Sequence, residues 1–311
     1  MTAKLSILIP AYNRPEHLDA LLFSLVSQKN KDLEIIVSDD CSPKKNEINL
    51  VIDKFKNSID NFIYYTQETN LGEVGNKNFL YKKASGKFLL YIGDDDLFEN
   101  DAIKYLLELI NNNHDNDVFI LGHTQEDDQG RFSKNRSSFF SYTISGKSLI
   151  NFGAINYDWF PFHFGHPASY IFRNSFDNKI IFNNDVGFAE DLAHLSHFLL
   201  SNKLFYFTNK RFFKWRKDIT RNQTNQSNDD KLHIESRFLL LNYINSISNN
   251  YPQINLKLKE RRFLFCIYKE RKGRYFIRLI NIVEILINYL QICLYCLCYL
   301  PKKIWKKKSR N

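Results

Sequence analysis

Several common signatures are missing from this 311-residue chain, and each absence removes a class of function. There are only five cysteines, and no His or further Cys stands near them at zinc-ligand spacing, which argues against a structural zinc site. Three of them, Cys293, Cys296 and Cys298, sit inside one apolar run. So few cysteines without a pairing pattern point to a reducing compartment. No G-x-G-x-x-G follows the first apolar run, and no G-x-x-x-x-G-K-[ST] occurs anywhere. The turn after that run, PAYNRP, contains no glycine, so a dehydrogenase or P-loop reading is weak. The formal charge of +9 comes with no recognisable nucleic-acid module. Residues 257–311 carry fifteen Lys and Arg against three acidic residues, which leaves residues 1–256 at −3. The basic excess therefore belongs to the C-terminal segment. The N-terminal apolar stretch spans five residues before Pro10, too short for a signal-peptide core, so the chain is expected to begin in the cytoplasm.

What is present centres on residues 87–101, KFLLYIGDDDLFEND. Residues 88–92 are apolar, are bounded by Gly86 and Gly93, and predict a buried strand. Asp94, Asp95 and Asp96 follow at its carboxyl end. Three adjacent carboxylates repel one another, and a hard divalent cation with oxygen ligands is a natural compensation. A solvated turn in which one Asp caps the next helix is the competing reading.

Similar apolar runs at 5–9, 33–37, 62–65 and 118–121 predict further strands, making the last of these the fifth. Helical spacing links them. Leu18, Leu21, Leu22 and Leu25 follow Pro15, a residue suited to a first helical position. Ile48, Ile52 and Phe55 mark a second helix, residues 74–84 a third, and Ile103, Leu106, Leu107 and Ile110 a fourth. Strands alternating with helices and apolar on both faces predict a mostly parallel sheet covered on both sides. Ligands of such sheets bind beyond the carboxyl ends of the strands. Three polar clusters fall there: Tyr12-Asn13, Asp39-Asp40 and Asp94–Asp96. Their shared placement favours a binding site over a solvated turn.

Over residues 5–121 the chain resembles the family 2 glycosyltransferases, which have the GT-A fold. The resemblance is carried by SILIPAYNR, EIIVSDDCS, NLGEVGNKN and ASGKFLLYIGDDD, in the family's order and spacing. Cys41 stands where the family usually has glycine, Lys77 where it usually has arginine, and Gly93 where the metal motif often begins with Asp. The resemblance implies a nucleotide-sugar donor, transfer with inversion, and a Mn²⁺ or Mg²⁺ ion that neutralises the departing diphosphate. It assigns that ion to Asp96 with Asp95 or Asp94. It places Pro10, Ala11, Tyr12 and Asn13 at the nucleoside, with core packing an equal reading for Tyr12, and Asp39 on the N–H of a base, which favours uracil. Asp40 either assists or caps a local turn, and Lys77 either meets a phosphate or is a solvated charge.

Farther on, residues 126–136 form an acidic and then basic stretch around Gly130, read as a surface hairpin or flexible connection. Residues 159–167, WFPFHFGHP, offer rings for a sugar acceptor or simply core packing, with His163 and His166 as structural residues or metal auxiliaries. Phe188-Ala189-Glu190-Asp191 leads into a helix carrying Leu192, Leu195, Phe198 and Leu199. Acids in a first turn stabilise the helix. The resemblance further implies that Asp191 deprotonates the acceptor hydroxyl while Glu190 positions it. A strand over 204–208 precedes Arg216 and Arg221, which are candidates for closing over the diphosphate or ordinary surface charges. The Q-x-x-R-W motif of processive synthases is absent, so one sugar is expected per encounter.

The resulting organisation is a catalytic domain over 1–221, with a donor half (1–121) and an acceptor half (122–221). A flexible loop at 222–230 and a helical region at 231–311 complete the chain. In that region, residues 238–247 and 256–268 predict helices, and residues 269–278 are basic. The apolar segment 279–300 is long enough as a helix to reach about 33 Å. Asn281, Glu284, Asn288 and Gln291 form a polar stripe along it, which predicts a helix lying at a membrane interface or packed on the domain rather than a spanning one. Basic residues on both sides, each contributing about 1 kcal/mol toward anionic lipid, predict peripheral attachment to the cytoplasmic side of the cell membrane. The expected activity is transfer of one sugar, from a UDP-sugar, to a glycan acceptor that is lipid-linked. A scaffold protein that keeps the fold without turnover, and a metal-dependent nucleotidyltransferase, are the alternatives.

Overall fold

Leu5, Ile7 and Ile9 face one side of the first strand and Leu8 the other, and all four are fully buried. A strand buried on both faces needs helices on both faces, and the computed structural model has them. It describes residues 3–28, 30–126, 132–133, 141–146, 149, 170–174, 182–216, 236, 239–240, 242–244 and 246–247. Strands β1 (Leu5–Ala11), β2 (Leu33–Asp39), β3 (Phe62–Thr66) and β4 (Phe88–Tyr91) pair in parallel in the order β3-β2-β1-β4. Helices α1 (Pro15–Val26), α2 (Lys45–Phe55) and α3 (Gly72–Lys83) connect them. The apolar faces of α1, α2 and α4 (Ala102–Asn112) pack with Ile7, Ile9 and Phe88 in one core. Those of α3 and α5 (Glu190–Leu200) pack with Leu8, Leu89 and Tyr91 in the other.

Beyond β4 the sheet is mixed, which corrects the expectation of a mostly parallel one. The two-residue strand β5 (Leu97–Phe98) precedes β6 (Val118–Glu126), so the strand expected as fifth is sixth. It also runs five residues past its expected end. Strand β9 (Tyr170–Arg173) lies between β4 and β6 and is antiparallel to both. Strand β10 (Leu204–Trp215) runs parallel to β6, and antiparallel to β5 and to β8 (Tyr142–Ser145). Its length was hidden because its register shifts between Phe207 and Arg211 and again before Phe213, which breaks the alternation a pattern depends on. Of the stretch read as a surface hairpin or flexible connection, β7 (Phe132–Ser133) pairs antiparallel with the end of β6, and residues 127–131 lie outside the described residues.

The described residues between 236 and 247 are helical, as expected there. Leu240 and Ile244 are buried in the core shared by α3 and α5, and Tyr243 Oη lies 2.6 Å from His197 Nε2 on α5. Among the described residues no helix is long and apolar enough to cross a membrane. The expectations for residues 159–167 (with His163 and His166), Arg221, the loop 222–230, the helix at 256–268, the interface helix 279–300 and the basic tail lie outside the described residues.

Candidate active site

The three polar clusters at the strand ends form one continuous rim. Ala11 and Asp39 are partners in the β1–β2 register, and the Asp40 N–H donates to the Ala11 carbonyl at 3.0 Å. The Tyr12 N–H donates to Asp94 Oδ2 at 3.3 Å, tying the end of β1 to the turn after β4. The Asn13 N–H donates to Ser42 Oγ at 2.8 Å, and that hydroxyl in turn donates to Asp39 Oδ1. Asn13 and Cys41 both adopt left-handed backbone, with φ of 57° and 58°. The strain at Cys41 is the physical reason a glycine suits that place. Pro10 is half-buried, Ala11 is buried, and Tyr12 stands 46% exposed at the mouth of the rim.

Asp39 and Asp40 are both buried. Asp39 is occupied by Ser42. Asp40 Oδ1 accepts the N–H of Leu71, 31 residues on, at 2.7 Å, so this carboxylate pins the loop that leads into α3 rather than its own turn. Burial pushes its pKa up, against the pull of that backbone donor.

Asp94 and Asp96 are fully buried, whereas Asp95 keeps about a quarter of its side chain exposed. Among the described residues two guanidinium groups lie against this acidic turn. Arg14 reaches Asp94 Oδ1 at 2.5 Å and Asp95 Oδ2 at 2.8 Å. Arg216, at the end of β10, donates through Nε to the Asp95 carbonyl. Burial still wins at Asp94, whose pKa is pushed up to about 7 against the pull of Arg14. It also holds Asp96 well above the usual carboxylate range, with repulsion from Asp95 adding to the effect.

Two of these carboxylates converge over Gly93. A Cβ on that residue would lie 2.5 Å from Asp95 Oδ1 and 3.7 Å from Asp96 Oδ2. The glycine thus leaves a cradle lined by oxygen atoms. No three His, Cys, Asp or Glu side chains are gathered as a metal site among the described residues, and Asp94 is directed to Arg14 and Tyr12 instead. The donor set fits a hard ion held by Asp95 and Asp96 and completed by substrate phosphates, the usual manner of Mg²⁺.

The second acidic group is built on α3 and α5. Glu190 and Asp191 occupy the first turn of α5, as expected. Lys77 points at them rather than into solvent. Its Nζ lies 2.9 Å from Glu190 and 3.4 Å from Asp191, with only 4% of the side chain exposed. Glu73, one turn earlier and mostly solvated, adds a third carboxylate at 2.9 Å. The Tyr170 hydroxyl donates to Asp191 at 3.5 Å, and the Tyr91 hydroxyl to the Lys77 carbonyl at 2.7 Å. Burial and the Glu190 charge outweigh the single ammonium, so the Asp191 pKa is pushed up to about 7. A carboxylate poised there changes protonation near neutral pH, which suits a general base.

The family model described as glycosyl transferase family 2 matches residues 6–181, more than half of the chain. The chain belongs to glycosyl transferase family 2. It is 28% identical over 221 residues to the poly(ribitol-phosphate) beta-N-acetylglucosaminyltransferase TarS of Staphylococcus aureus, covering 67% of this chain and 36% of TarS. It is 32% identical over 147 residues to the GalNAc(5)-diNAcBac-PP-undecaprenol beta-1,3-glucosyltransferase of Campylobacter jejuni, covering 47% of this chain and 43% of that protein. The chain thus spans less than half the length of either curated relative. The crystal structure of S. aureus TarS 1–349 in complex with UDP-GlcNAc superposes with a TM-score of 0.62 at 22% identity, over 84% of this chain and 73% of that one, and so shares its fold. The mixed sheet with helices on both faces agrees with the GT-A fold.

In this member of glycosyl transferase family 2, the fold brings the sequence-predicted residues Asp94, Asp95, Asp96 and Arg216 to one cluster and Lys77, Glu190 and Asp191 to another, whereas sequence reasoning placed Lys77 at a phosphate or in solvent. It did not pair Lys77 with the acidic residues. It passed over Arg14, although Arg14 ends the quoted SILIPAYNR piece, and over Tyr170, whose stretch carries no motif signal.

Proposed function

We propose that the protein transfers one sugar, with inversion, from a UDP-sugar to a glycan acceptor carried on a lipid in bacterial surface-glycan assembly. Family membership supports glycosyl transfer. The names of the relatives point to N-acetylglucosaminyl and glucosyl transfer, the latter to an undecaprenol-linked glycan. A UDP-GlcNAc complex of the structural relative makes that donor the first to test. The observation that carries the reading is the buried Lys77–Glu190–Asp191 triad, set apart from the oxygen-lined cradle over Gly93.

Asp191 takes the acceptor hydroxyl proton as that oxygen attacks the anomeric carbon, and the nucleoside diphosphate leaves from the opposite side. Lys77 compensates the ionised Asp191 until the proton arrives, and Glu190 orients the acceptor. Arg216 stands at the diphosphate end, and Tyr12 and Asp39 at the nucleoside end. Asp95 and Asp96 would hold a divalent cation, Mn²⁺ or Mg²⁺, which would supply neutralisation of the departing diphosphate. The C-terminal basic segment would hold the enzyme against the cytoplasmic face of the membrane.

Release of UDP from UDP-GlcNAc and other UDP-sugars, followed with and without Mn²⁺, tests this reading. Asp191→Asn is expected to keep donor binding and lose turnover by about 10²–10⁴-fold. Asp96→Asn is expected to lose the response to Mn²⁺. Turnover by Asp191→Asn at the wild-type rate would remove Asp191 as the base. Pyrophosphate as the product would replace sugar transfer with nucleotidyl transfer.

A further inference from the structure

Arg14 occupies an unusual place in the acidic rim. Its guanidinium bridges carboxylates of two consecutive residues, at 2.5 Å to Asp94 and 2.8 Å to Asp95. Asp94 is fully buried, yet the arginine that meets it keeps a third of its own side chain exposed. It stems from the turn just before α1. One end of the side chain is thus committed to the carboxylates while the rest lies at the open edge, beside the exposed Tyr12.

Arg14 already holds the Asp94 and Asp95 carboxylates, and Arg216 donates to the Asp95 carbonyl. A divalent ion added alone would contend with Arg14 for Asp95. A diphosphate arriving with the ion gives Arg14 a second partner, because a guanidinium fork matches phosphate oxygens as well as carboxylate ones.

Resting on the metal-assisted reading above, we propose that Arg14 is a donor-binding residue with two positions. Without donor it holds Asp94 and Asp95 and competes with the cation. With donor and cation it turns to the diphosphate and frees Asp95. The rim therefore takes a cation well only together with a nucleoside diphosphate.

The test is the affinity for Mn²⁺, read from the electron paramagnetic resonance signal of the free ion, for wild type, Arg14→Gln and Arg14→Lys, each with and without UDP. Thermal melts report whether each variant is folded. The wild type is expected to bind Mn²⁺ about tenfold or more tightly with UDP than without. Arg14→Gln is expected to bind Mn²⁺ alone several-fold more tightly than the wild type, and UDP in saturating Mn²⁺ several-fold more weakly. Arg14→Lys, with one charge but no fork, falls between them. If Arg14→Gln matches the wild type in both affinities while UDP still promotes Mn²⁺ binding, the Arg14 assignment is wrong and the metal reading survives. If no form binds Mn²⁺ even with UDP, the metal reading fails and takes the Arg14 proposal with it.

Discussion

Removing the Lys77 ammonium is expected to move the acidic limb of the transfer rate to higher pH. As the proposed base Asp191 must be ionised to accept a proton, and its pKa is already pushed up to about 7 by burial and by Glu190. Wild-type transfer should therefore climb as pH rises through that region and level off above it. Taking away a positive charge disfavours the carboxylate further, so the sign of the shift is upward. Two unit charges at the 3.4 Å separating Lys77 from Asp191 interact by about 1.2 kcal/mol at the dielectric of water, and by about 5 kcal/mol at an effective value near 20. At 1.36 kcal/mol per pH unit these bounds correspond to about 1 and about 3.5 units. The assay is kcat/KM for donor turnover between about pH 5 and 10, for wild type, Lys77→Met and Lys77→Arg. In Lys77→Met the limb should move up by at least about 1 unit, and the plateau should be approached again at high pH. Lys77→Arg keeps the charge and should leave the limb within about half a unit. A folded Lys77→Met whose limb stays in place or moves down would refute the electrostatic role given to Lys77.

Cys41→Gly should raise stability by up to about 1 kcal/mol in a denaturant melt, because a side chain at φ 58° is strained where glycine is not. Gly86→Ala should lower it by about 1–3 kcal/mol, since the added Cβ would sit 2.5 Å from Ser6 Oγ and 2.7 Å from Ser6 N in a packed turn. His194 is fully buried, stacked on Phe182 at 4.5 Å, and neither ring nitrogen has a hydrogen-bond partner among the described residues. His194→Phe is therefore expected to be neutral or to stabilise by about 1 kcal/mol, and a clear loss in the same melt would show that one of those nitrogens is engaged.

The part of the fold that could be read from the sequence is the part built by repetition. Continuous apolar runs such as 5–9 and 33–37 have one physical explanation, burial on both faces, and β1 and β2 follow it. The strands missed or shortened lack that redundancy. β5 and β7 are two residues long, below any period. β10 changes register around Arg211, so its second half does not continue the alternation of the first. At the site, acidic clusters were visible because like charges in sequence demand an explanation. Their counter-charges were not, because Arg14 and Asp94 are 80 residues apart, and Lys77 and Asp191 are 114 apart. Only the folded sheet brings those pairs together. A lysine on a helix looks like a solvated charge until the packing of α5 against α3 closes over it.

The two acidic groups are compensated in opposite ways, and the difference follows from burial. Lys77 keeps 4% of its side chain exposed and Arg14 a third. Among the described residues Lys77 is the cation paired with Glu190 and Asp191, so withdrawing it would leave two carboxylates uncompensated; its charge is fixed in place and acts by setting when Asp191 ionises. In the proposed exchange Arg14, a third exposed, leaves its carboxylates as a cation takes its place. A base needs a constant environment throughout the reaction. A diphosphate site must be neutral enough to stand empty and positive enough to hold two phosphates when filled. In the proposed mechanism one immobile cation and one that changes partners satisfy those two demands at the two acidic groups.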